Sequence, residues 1–151
     1  SVEVDGTIGD VHVLFANTLN VAAGQRTVDL GVPVNGERLG FFVIQNGFNA
    51  YGSLPDNLSF VMPGTDTPFD IDTGLPPELR SATLGALGNA PIFHAFSTLN
   101  PGDAVQVLSG TSPNGRELLI GFEDLSTTSG DNDFQDIVVA IRVTIDDVLV
   151  L

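Results

Sequence analysis

The chain is cut into short pieces by its turn formers, and that punctuation constrains its architecture more than any other feature. Asn35-Gly36, Asn46-Gly47, Pro63-Gly64, Asn100-Pro101-Gly102 and Asn114-Gly115 favour backbone reversal, through the positive φ open to Gly and Asn and the fixed φ of Pro. With 17 Gly and 9 Pro in 151 residues, little uninterrupted chain is left for long helices, and the segments between turns are short apolar runs. This pattern predicts an all-β chain: a single-domain, jelly-roll-like β-sandwich over residues 1–151, with long loops and one short helix.

The predicted strands are Val11 to Phe15, Gln25 to Leu30, Phe41 to Gln45, Leu58 to Val61, Ile92 to Ser97, Ala104 to Leu108, Leu118 to Phe122 and Ile137 to Ile145. The last is rich in β-branched residues and alternates only late in its run, so it reads as a central strand that becomes half exposed. Pro77 followed by Leu79, Leu84 and Leu87 predicts the short helix, curtailed by Gly85 and Gly88. The Phe residues between Phe41 and Phe48 are expected in the core. Hydrophobic residues make up 42% of the chain and charged residues 16%, enough apolar material to bury a core.

Charge narrows the partners. Nineteen Asp and Glu face five basic residues, all Arg, for a formal net charge of −14. Such a surface repels nucleic acid and anionic membranes, whose binding depends on basic side chains neutralising phosphate. Its natural counter-charges are cations, and oxygen ligands select hard ions such as Ca2+. The absence of Cys excludes disulfides, zinc–thiolate sites and thiol nucleophiles. No apolar run approaches the ~20 residues that span a bilayer, so no membrane insertion is expected. The chain starts without Met and without a signal-like apolar segment, and the expectation is a monomeric module from a longer polypeptide.

The most informative segment is Gly121-Phe122-Glu123-Asp124-Leu125-Ser126-Thr127-Thr128-Ser129-Gly130-Asp131-Asn132-Asp133-Phe134-Gln135-Asp136, between the two strongest strands. Glu123, Asp124, Asp131, Asp133 and Asp136 lie here with no basic side chain among them, so packing them together costs Coulomb repulsion unless a cation intervenes. Ca2+ takes 6–8 oxygens from carboxylates, amides, carbonyls and water, and a loop closing two strands can supply several. The spacing excludes an EF-hand, which needs Gly at its sixth position, Glu at its twelfth and flanking helices. The competing reading is a solvated loop of Asx turns. Asp66, Asp70 and Asp72 form a second acidic loop that reads as exposed. Asn100 and Asp103 read as caps of the Pro-Gly turn.

Catalysis finds little support, and no enzyme is expected. His12 and His94 lie inside apolar runs, and there is no Gly-x-Ser-x-Gly elbow. Paired carboxylates suit glycoside hydrolysis, yet a chain with no Trp and the single Tyr51 offers poor stacking platforms for sugar rings.

Gly-Phe-Glu-Asp-Leu, a short spacer, then Gly-Asp-Asn-Asp-Phe-Gln-Asp before an apolar strand closely resembles the signature of the bacterial DUF4114 domain family. Phe41 to Gly47 and Phe96 to Asp103 resemble further segments of it, so the likeness covers roughly Phe41 to Ile145. The chain looks most similar to the calcium-dependent peptide-binding domain of RTX adhesins. That resemblance implies a secreted, extracellular module on the bacterial cell surface that serves in adhesion and biofilm formation and captures the terminal carboxylate of a peptide or protein on another cell through bound Ca2+. It implies Glu123, Asp124, Asp131, Asp133 and Asp136 as metal ligands. Asn132, Asn46, Gly47 and Asp103 are the candidate ligand-binding positions. The alternatives are a calcium-dependent carbohydrate (glycan) module and a calcium-rigidified structural spacer.

Overall fold

A computed structural model describes residues 1–3, 5–34, 36–55, 57–125 and 130–143. Eight short strands form three antiparallel sheets among these residues, with one helix of five residues, α1 (Gly47–Tyr51). The chain is all-β, as its turn density requires. Among the described residues, no helix is long and apolar enough to cross a membrane.

β1 (Phe42–Ile44) pairs with β5 (Ile92–His94). β2 (Leu58–Val61), β3 (Glu78–Ser81) and β4 (Gly85–Ala86) form the second sheet in that order. β6 (Val107–Thr111), β7 (Leu118–Phe122) and β8 (Ile137–Ile141) form the third, with β7 in the middle. The main hydrophobic cluster joins Val11, Leu58, Phe60, Phe69, Leu79, Leu87 and Leu99, with Phe42, Ile44 and Ile92 against it. Phe42 meets Phe60 edge to face at 5.1 Å, the arrangement aromatic quadrupoles favour. Each such side chain contributes on the order of 1.5–3 kcal/mol by leaving water. Two early residues are tied into this body: Val11 bridges to Leu58, and Val2 bridges to both Ile8 and Arg38.

Four expectations are corrected. The helix anticipated from Pro77 is the β3–β4 hairpin instead. Leu79 and Ser81 alternate inward while Glu78 and Arg80 face out and pair, and Gly85 adopts the positive φ that closes the turn. Leu84, meant for a helical face, is exposed. The one helix forms at Gly47–Tyr51, where Asn46 takes a left-handed conformation at its start. It leaves Phe48 45% exposed rather than in the core. The predicted strand Gln25 to Leu30 is absent: residues 23–25 form a 3-10 turn, and residues 27–34 have no ladder partner among the described residues. Only Val11 of the predicted Val11 to Phe15 strand makes a bridge.

β8 is also not central. It pairs with β7 alone among the described residues, its residues alternate between half-buried and exposed, and Val138 is 58% exposed. The β-branched run reflects strand propensity, which an edge position satisfies as well as a buried one. The predicted end of that strand at Thr144 and Ile145 lies outside the described residues.

Candidate metal centre

The register of the third sheet decides where the acidic loop points. Phe122 pairs with Ile137 and with Val107, which sets Gln106 and Asp136 on either side of Glu123. The Glu123 N–H donates to the Gln106 carbonyl at 2.9 Å, continuing the β6–β7 ladder by one residue. Neighbouring residues in extended chain face opposite ways, so Glu123 and Asp124 are sent to opposite sides of the sheet.

Glu123 turns to the side covered by the loop's return. Gly130 lies over its carboxylate, so closely that a Cβ there would come within 2.6 Å of Oε1. The Phe134 carbonyl lies over Gly121 in the same way, where an added Cβ would meet it at 2.3 Å. Under this cover Glu123 is 0% exposed, and neither carboxylate oxygen has a hydrogen-bond partner among the described residues. Carboxylate oxygens of Glu123, Asp131 and Asp133 come within 4.8 Å of one another, and this is the one group among the described residues that could hold a metal ion.

The partners of these three differ. Asp133 accepts hydrogen bonds from the backbone N–H and the side-chain amide of Gln135, at 3.0 and 2.9 Å, and Asp131 accepts a longer one from the Asp133 N–H. Those are Asx-type contacts that an exposed acidic loop makes without metal. Glu123 makes none. A buried, unpaired carboxylate costs several kcal/mol, so this donor set fits a hard cation. Asn132 and Phe134, on either side of Asp133, both hold positive φ. That strain, of order 1–3 kcal/mol each, persists only where surrounding contacts enforce it.

Asp124 and Asp136 belong to a different place. They line a cleft of about 1190 Å3 on the Phe122 side, with Ile137 and Val139 as its floor and Asn46, Gly47 and Phe48 among its other walls. Asp136 accepts a hydrogen bond from the Asp124 N–H at 2.8 Å and so ties the base of the loop. Burial raises the Asp124 carboxyl above the usual carboxylate range, and the neighbouring Asp136 charge adds to that rise. Thus the structure divides the five predicted carboxylates into a buried-to-exposed trio and a cleft-side pair.

Of the four candidate ligand-binding positions, Asn46 and Gly47 line the cleft, whereas Asn132 and Asp103 do not. Asn132 lies exposed on the loop. Asp103 is exposed at the Pro101–Asp103 turn with positive φ. Asn100 does more than cap that turn: its side chain accepts from the His94 N–H at 2.7 Å and donates to the His94 and Ala104 carbonyls, fastening the turn to β5. In the second acidic loop, Asp66 pairs with Arg80, and Asp70 accepts from the Asp72 N–H. His12 is exposed, while His94 is buried and packed between Phe42 and Phe60.

Sequence reasoning missed Gln106, Gly121, Gly130 and the bracing role of Gln135. Gln106 is 1% exposed, and its amide donates to the Glu123 and Leu125 carbonyls at 3.1 and 2.6 Å, holding the departure of the loop from β7. Its importance depends on a cross-strand register that no local pattern announces.

Compared with known proteins, residues 34–144 match the family model described as "Domain of unknown function (DUF4114)". No curated protein and no solved structure matches the chain.

Proposed function

The chain belongs to the DUF4114 family, and we propose that it is a calcium-dependent ligand-binding module of a bacterial surface adhesin. The observation that carries this reading is the Glu123 carboxylate, fully buried and without a hydrogen-bond donor among the described residues, beside Asp131 and Asp133. Calcium bound there would offset two of the trio's three negative charges and give an anionic group a direct metal contact on a surface of formal net charge −14. Glu123 would anchor the ion from inside, and Asp131 and Asp133 would hold it from the solvent side, where a ligand oxygen could take a place on it. A peptide's terminal carboxylate has the charge and oxygen chemistry to take such a position.

The test is a panel of free-carboxylate peptides and their C-terminally amidated forms, presented with calcium or chelator, beside a glycan array. Binding that requires both calcium and the free carboxylate supports the reading; calcium-dependent binding to glycans alone replaces it with a carbohydrate module. A second reading is favoured by the depth of Glu123: an ion buried that far can serve as a rigidifying strut in a spacer domain. It predicts stabilisation by calcium and no ligand on either array.

A further inference from the structure

We infer that Gln106 is an additional ligand of the ion, through its side-chain oxygen, so that the centre spans two strands as well as the loop. This rests on the proposed metal site at Glu123, Asp131 and Asp133. Among the described residues, three buried side-chain polar atoms lack any partner: Gln106 Oε1, Glu123 Oε1 and Glu123 Oε2. All three belong to one pair of residues that face each other across the end of the β6–β7 ladder. Directly opposed residues of an antiparallel pair project to the same face, with Cβ atoms about 4.5–5.5 Å apart.

An amide flip and a single water both fall short of satisfying them. The Gln106 amide nitrogen donates to two carbonyls, of Glu123 and Leu125, so reversing the carboxamide would set its oxygen against two other oxygens. Oε1 therefore keeps its orientation and needs a positive partner. A buried water has two protons for three acceptors and leaves the Glu123 charge uncompensated. A divalent cation can contact all three and compensates the buried Glu123 charge. Amide oxygens are ordinary Ca2+ ligands, and a neutral donor adds coordination without adding to the repulsion among the three carboxylates.

The experiment follows the side-chain carboxyl and carboxamide carbons of the intact protein by NMR during titration with CaCl2, and with MgCl2 as control. The expected result is a downfield shift of both Glu123 Cδ and Gln106 Cδ on calcium, with the exposed Gln25 unmoved. A shift at Glu123 without one at Gln106 overturns the inference and leaves the metal site standing. No shift at either overturns both. As an independent readout, Eu3+ luminescence lifetimes in H2O and D2O count inner-sphere waters. Gln106→Met should gain about one water and bind calcium about ten-fold more weakly. An unchanged water count in a folded, Eu3+-loaded variant would reduce Gln106 to a positioning residue.

Discussion

Gly130 is packed against the Glu123 carboxylate with no room for a methyl group, its hypothetical Cβ falling 2.6 Å from Oε1 and 2.9 Å from Cδ. The glycine therefore acts as the lid of the centre. Gly130→Ala should displace Glu123 or lift the returning loop, weakening calcium binding at least ten-fold. Isothermal titration of the variant against wild type checks this, and unchanged affinity would show that the lid has slack.

Calcium should stabilise the fold by mass action. At a hundred-fold excess over Kd an ion that binds only the folded state contributes about 2.7 kcal/mol, a rise in Tm of roughly 5–10 °C for a chain of this size. Melts in chelator, millimolar calcium and millimolar magnesium measure it. An equal shift with both ions would indicate charge screening rather than an oxygen site.

Asp133 carries the solvent side of the trio, and Asp133→Ala should weaken calcium and ligand binding together while leaving the core intact. Retained ligand affinity in the folded variant, measured in chelator, would uncouple the two and end the calcium-bridge mechanism.

Gly121 is the penultimate residue of β7, the central strand of its sheet, and lies under the Phe134 carbonyl. Gly121→Ala should destabilise the fold by about 1–3 kcal/mol through overpacking, read as a lower urea midpoint. Because the obstructing atom is backbone, the loop must move as a body to make room.

His94 sets a pH dependence whose sign is fixed by burial. Desolvation lowers its pKa from 6.5 to about 4, so between those values the unfolded chain binds a proton that the folded chain refuses. Stability from this group is full above pH 6.5 and falls as pH drops toward 4, by a total on the order of 3 kcal/mol. His94→Phe should remove that slope, which is tested by comparing denaturant midpoints of the two proteins across the window. Parallel pH profiles would mean that His94 is protonated in place.

Much of this was legible in the sequence where the signal is local. Leu58–Val61 and Leu118–Phe122 have the strand bounds their apolar runs predict, and Glu123, Asp131 and Asp133 stand out as carboxylates without counter-charge. The failures are non-local. Glu78–Ser81 is too polar to read as a strand until Leu79 meets Phe60 across the ladder. The separation of Glu123 from Asp124 follows from strand alternation, yet knowing which of them is buried requires knowing where the loop returns. Gln106 carries no motif; it matters through its position opposite Glu123.

The early bridges from Val2 and Val11 bear on how this domain should be excised. The family match begins at residue 34, but Val11 already packs on Leu58 inside the main cluster, and Val2 is bound to Arg38. An expression clone trimmed to the family boundary would uncover the edge of β2 that faces away from β3 and present Leu58 to solvent. Insolubility of such a fragment would then reflect a misplaced cut rather than a missing ion, and any titration on it would measure the wrong molecule.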